Sequence, residues 1–221
     1  MKEELLFKSF LFAHISAGSI ALFTGLVALA LKKKRGAHSK VGYVFHVSML
    51  VVALSAFVMS ILHANYFLFV VGVFSFYLTF TGYRSIVFLR GESKPNWLDK
   101  SAMILCAILM LGVTAKFLNN SAFSFTGFST IIIVFDLILT GLLIQDYKNF
   151  NPRQALTKNN WLIKHITRMI PAYIATTTAF LVVNVDYKYP VVIWLAPTFL
   201  FVPIIIFNIR KYKKLPNSFK P

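Results

Sequence analysis

Seven long apolar stretches, separated by short polar segments, constrain this chain more than any other feature. They cover roughly residues 9–31, 42–63, 66–89, 100–118, 125–145, 161–184 and 189–210. Each approaches the ~20 residues that cross a hydrocarbon core about 30 Å thick. Lipid offers no water to a spanning backbone, which must satisfy its own hydrogen bonds, and a helix does this within one segment. The expected fold is therefore all-α: one polytopic transmembrane bundle of about seven helices over residues 1–221. Composition agrees. Of 221 residues, 57% are hydrophobic and 14% charged, against roughly 45–50% and about 25% in soluble domains. No room remains for a sizeable soluble domain.

The charge is one-sided. A net +16 would point to nucleic acid in a soluble chain. Here the basic residues fall in alternate connections. Lys32, Lys33, Lys34, Arg35 and Lys40 follow the first stretch, and Arg84, Arg90, Lys94 and Lys100 follow the third. Lys148, Arg153, Lys158, Lys164 and Arg168 follow the fifth, and Arg210, Lys211, Lys213, Lys214 and Lys220 end the chain. Only Lys2, Lys8, Lys116 and Lys188 fall on the other side. The positive-inside rule then puts the N-terminus outside and the C-terminus in the cytoplasm. Attraction to anionic lipid accounts for the basic tail, and nucleic acid is not expected as a partner. Glu3 and Glu4 interrupt any basic leader, so no cleavable signal peptide is expected. Cys106 is the lone cysteine, which excludes an internal disulfide. The longest connection carries Asn151-Pro152 and Asn159-Asn160, turn and cap chemistry.

Three stretches carry stripes of small residues. They are His14, Gly18, Ala21, Gly25, Ala28; then Gly42, His46, Met49, Ala53, Ala56, Ser60, His63; then Gly72, Ser75, Thr79, Gly82. Small residues let helix backbones approach in lipid, so the stripes should be buried seams that carry the histidines inward. The sixth stretch has a similar face with His165, Met169, Ala172, Thr176 and Ala179, and Pro171 within it. By helical rise, His46 lies about 10 Å and His165 about 12 Å below the middle of their spans. His14 and His63 lie roughly 9 and 15 Å above theirs. Paired neutral imidazoles can ligate a haem iron or share a metal. The expectation is a redox protein with haem b or a metal on His46 and His165, a second pair in His14 and His63, and Arg168 for a propionate. The plainer reading is that these histidines hydrogen-bond neighbouring helices.

Two carboxylates supply alternatives. Asp136 sits near the middle of the fifth stretch, where a charge costs roughly 2.5–3.5 kcal/mol on insertion scales. It should find a partner among Tyr77, Thr79, Tyr173 and Thr176–Thr178, as the relay of a proton-coupled transporter or as a structural hydrogen bond. Asp146, with His38, His46 and His165, offers ligands for zinc in an intramembrane hydrolase. A bland ion pair with Lys148 or Arg168 serves Asp146 as well. No phosphate-binding glycine loop, nucleophile elbow or zincin motif is present.

Residues 14–49 read H-x3-G-x6-G, a basic turn with R-G-A-H, then G-x6-M. Residues 161–184 read W-x3-H-I-x-R-M-x3-Y-I-A-x3-A-F-x-V-V-N. Together these resemble a bacterial integral membrane family, the domain-of-unknown-function family 2306, over most of the chain. The resemblance implies a multi-helix protein of the bacterial inner (plasma) membrane, with His14, His38 and His165 in a family pattern and no established activity. A small-molecule or redox partner is left open, as is oligomeric state. The orientation is directly testable: a cysteine replacing Lys188 should react with an impermeant maleimide in intact cells, and one replacing Lys214 only after the inner face is opened.

Overall fold

The computed structural model describes residues 2–33, 36–119, 127–150 and 156–214. Lys34, Arg35, the Asn151-Pro152 turn, Arg153, Lys220 and the first residues of the fifth expected span lie outside them. The described residues form seven α-helices and no strand. These are α1 (Lys2–Ala30), α2 (Ala37–Leu62), α3 (Tyr66–Arg90), α4 (Trp97–Asn119), α5 (Gly127–Asn149), α6 (Lys158–Asn184) and α7 (Pro190–Lys213). The shortest have 23 residues, about 35 Å of helix, enough for a hydrocarbon core of about 30 Å. Among the described residues, six helices are long and apolar enough to cross a membrane, and α5 is not one of the six. The perimeter is apolar: Phe12, Phe23, Leu111, Leu137, Phe199 and Phe207 are all exposed. Water would penalise such a surface and lipid does not.

Local chemistry sets several helix ends. The Asn65 side chain accepts a hydrogen bond from Leu68 N at 3.0 Å and caps α3. Gly91, at φ 74°, closes the same helix, its N–H reaching Phe88 O and that of Glu92 reaching Val87 O. This is the left-handed stop that glycine adopts without a Cβ clash. Thr157 caps α6 through Asn160 N. Pro171 lies inside α6, and Pro197 and Pro203 inside α7.

The bundle is organised around α3, which packs against α2, α4, α5 and α6. The small-residue stripes form its seams: Ala21, Gly25, Met49, Ala53, Ala56, Ser60, Gly72, Ser75, Thr79 and Gly82 are buried. The stripe fails at its end, where His63 is exposed. The glycines are used for close approach. A Cβ on Gly82 would sit 2.6 Å from Met169 Sδ and 3.1 Å from Arg168 Cβ. One on Gly25 would collide with the Tyr173 ring. Backbone-level contact of this kind maximises dispersion where lipid removes the hydrophobic drive between helices. Gly25→Val should therefore displace Tyr173 and lower stability by about 1–3 kcal/mol, read as a reduced unfolding temperature in detergent, while Gly42→Ala, with open space around it, should be near neutral.

Candidate functional site: a histidine-lined cavity at the basic end of the bundle

One end of the bundle gathers the C-terminal turns of α1, α3 and α7 and the N-terminal turns of α2 and α6 around a cavity of about 1090 Å³. Its walls are apolar, with Leu29, Phe45, Ile166, Met169, Tyr173 and Ile204. Its charged lining is mostly cationic: Lys33, Lys40, Arg90 and Lys158 against a single carboxylate, Glu92. Arg90 is tied to Ser39 Oγ at 2.6 Å and to Glu92 at 3.6 Å, which joins α3 to the start of α2. Lys33 Nζ donates to the last carbonyls of α1, Ala28 O at 2.8 Å and Leu29 O at 2.7 Å. That placement suits a cation at a helix C-terminus. Partial burial pulls the Lys33 ammonium below the ordinary lysine value.

Two of the five histidines line this cavity, His38 and His165. His165 Nδ1 lies 2.9 Å from Gly82 O, and His38 Nδ1 lies 3.0 Å from Ala28 O. A carbonyl only accepts, so each Nδ1 carries the proton and donates. Each Nε2 keeps its lone pair. Second-shell carbonyls fix metal-binding imidazoles in the same way, setting tautomer and ring direction.

The expected haem pair of His46 and His165 does not share this cavity. His46 is buried in the α2–α3 seam and stacks on Tyr83, ring centroids 4.3 Å apart and planes within 7°. Its Nδ1 has no hydrogen-bond partner among the described residues. The backbones of α2 and α6 do not come within 8 Å of each other, and α3 packs against both. Matching depth could not reveal this, because depth says nothing of which helices are neighbours. The second pair is also parted. His14 on α1 bonds α2 at Val52 O (3.1 Å) and Ser55 Oγ (3.0 Å), the bridging role of the plainer reading. His63 caps α2 and meets the edge of Phe7 at 4.2 Å. It stands eight residues beyond Ser55, about 12 Å along the axis.

Arg168 and Asp146 meet in a different place. Arg168 does not reach the cavity. Its Nη2 donates to Asp146 Oδ1 at 2.9 Å and to Gln145 Oε1 at 2.9 Å. Lys164 Nζ reaches the same Asp146 Oδ1 at 2.8 Å, and Tyr77 Oη donates to Oδ2 at 2.8 Å. Arg168 and Asp146 are 0% exposed and Lys164 is 5% exposed. With both its oxygens occupied by cations and a phenol, Asp146 is an ion-pair centre. Among the described residues no three of His, Cys, Asp and Glu gather as a metal would need. Asp136 takes none of the partners expected from sequence. Thr114 of α4 donates to its Oδ2 at 3.1 Å, Tyr77 serves Asp146, and Thr79, Thr176 and Thr177 bond carbonyls of their own helices. Asp136 faces α4 and lies away from the cavity lining.

Sequence reasoning missed Lys33, Tyr83 and Lys164, and offered Tyr77 to Asp136 where the structure gives it to Asp146. Only Lys164 left a usable trace: with Arg168 it makes an i,i+4 pair of cations inside a spanning helix, which demands a carboxylate on a neighbour.

Compared with protein-family models, curated proteins and solved structures, the chain matches none. The site is therefore read from its own geometry. Removing the central carboxylate is its sharpest structural test: Asp146→Ala leaves two buried cations unpaired and should cost roughly 3–5 kcal/mol, seen as a large fall in unfolding temperature, whereas Asp136→Asn should cost far less.

Proposed function

We propose that this chain is a bacterial plasma-membrane redox protein that binds haem in the cavity at its basic, cytoplasmic end, with His165 and His38 facing the iron. The observation that carries the reading is the pair of imidazoles on one cavity, each with Nδ1–H pinned to a backbone carbonyl and Nε2 left for a ligand. The surroundings suit the group. Haem b presents a flat apolar macrocycle, which the aliphatic and aromatic walls would accept, and two acidic side groups, which Lys33 and Arg90 would neutralise. Bound there, haem would supply one-electron chemistry. The chain's own contribution is to orient the imidazoles, raise their basicity through the carbonyl bonds, and line the site with the apolar residues of α1, α6 and α7.

The other two readings draw less support. Catalytic zinc takes three protein ligands, and the cavity brings two. The proton-relay reading rests on Asp136, whose partner Thr114 lies on the α4–α5 seam away from the cavity.

The test is an absorbance spectrum of protein purified after expression with ample haem, oxidised and then dithionite-reduced. The expected result is a Soret band with sharpened reduced bands. His165→Ala and His38→Ala should each weaken haem retention about 10-fold or more, while His46→Ala retains the pigment. A colourless protein, or pigment indifferent to both substitutions, would sink the proposal.

A further inference from the structure

The ion network between α5 and α6 does not balance. Lys164 and Arg168 contribute two positive charges and Asp146 one negative. The next carboxylate, Asp99 on α4, is already engaged. Arg84 Nε and Nη2 grip its two oxygens at 2.7 and 2.8 Å, and Asn96 N adds a bond at 2.9 Å. Counting that pair as well, three cations face two carboxylates. Tyr77, on α3, faces Asp146 as a neutral donor and brings no further negative charge.

Three observations bear on how the surplus charge is accommodated. Lys164 lies over the faces of Phe150 and Trp161, with Nζ 4.9 and 5.1 Å from the ring centroids. Such aromatic faces favour the charged ammonium. Arg168 is 0% exposed, yet its Nε and Nη1 have no hydrogen-bond partner among the described residues. A buried guanidinium cannot discard its proton and carries a heavy penalty if left unpaired. Finally, the backbones of α5 and α6 do not come within 8 Å of each other among the described residues, although the Lys164 and Arg168 side chains cross between them. The Lys164 and Arg168 side chains thus span the distance between two helices that do not pack backbone to backbone.

We propose that a small monovalent inorganic anion of the halide class binds beside Arg168 and Lys164, accepts the unpartnered N–H groups of Arg168 and neutralises the network. Asp146 and the anion would then flank the two cations, giving two charges of each sign in a low-dielectric site. The site is separate from the histidine cavity, whose lining includes neither Arg168 nor Lys164, so the inference stands independently of the haem reading.

The experiment uses the full chain in detergent at constant ionic strength, with chloride replacing gluconate. The unfolding temperature should rise saturably with chloride, by roughly 5 °C or more at a hundredfold excess over the Kd. Lys164→Met removes one cation and leaves a balanced Arg168–Asp146 pair, so this variant should fold and lose the chloride response. A wild-type protein indifferent to chloride would overturn the proposal, as would a response unchanged in Lys164→Met. Should that variant not fold, bromide titration decides. In a Trp97→Phe/Trp194→Phe background, Trp161 fluorescence should be quenched saturably by a halide held beside Lys164. Quenching that grows linearly with bromide, as for free tryptophan, would refute the site.

Discussion

Where α3 and α6 meet, Gly82 has no side chain, and the space that a Cβ would fill is taken by Met169 Sδ and Arg168 Cβ. This close approach governs what the rest of α6 can do. It brings the Gly82 carbonyl to His165 Nδ1 at 2.9 Å and so fixes the tautomer of the cavity's innermost histidine. One turn further along α6, it directs Arg168 past α3 toward Asp146 on α5. The next residue of α3, Tyr83, stacks on His46 and lines the cavity from that side. Because lipid provides no hydrophobic drive between helices, contact at this range is what holds such a bundle together, and only a glycine or a comparably small residue permits it.

The two polar systems that α6 carries are chemically different. The cavity is open, apolar-walled and rimmed with cations, the properties of a place that receives an acidic, largely apolar guest. In the α5–α6 network Asp146, Arg168, Lys164 and Tyr77 are all but inaccessible. Desolvated charges of this kind interact strongly because little solvent screens them, and for the same reason an imbalance among them is costly. Placing Lys164 and His165 side by side in sequence sends one into each system, since adjacent residues on a helix point about 100° apart.

Much of the architecture is legible in the sequence. The seven apolar stretches coincide with helices; the ends of α3, set by Asn65 and Gly91, agree within one residue, while α1, α2 and α6 begin earlier than hydropathy suggests because polar residues join their first turns. The small-residue stripes identify the seams because spacing on a helix maps directly to a face. The histidines show where that mapping stops. A face and a depth placed His46 and His165 level with each other, but neighbour relations among helices decide whether two level groups meet, and their helices each pack against α3 without coming within 8 Å of each other. His38, assigned by sequence to a basic loop, is instead in the first turn of α2, where the end of α1 supplies the carbonyl that orients it. Asp136 and Asp146 differ in the same way. Both are carboxylates of α5, yet ten residues of helical rotation and the packing of α3, α4 and α6 give one a threonine and the other two cations and a phenol.

The sequence by itself determined that the chain is an all-helical protein suited to a membrane, which surfaces of its helices are buried, and that its positive charge collects at one end. These follow from local physics: backbone hydrogen bonding in lipid, helical periodicity, and the distribution of lysine and arginine between apolar segments. The tertiary structure alone decided which polar groups meet. The presence of His38, and not His46, with His165 on the cavity lining, and the capture of Asp146 by Lys164, Arg168 and Tyr77, depend on the order in which helices pack around α3. That order is set by side-chain fit at positions such as Gly25 and Gly82, a property of pairs of helices that no single stretch of sequence contains.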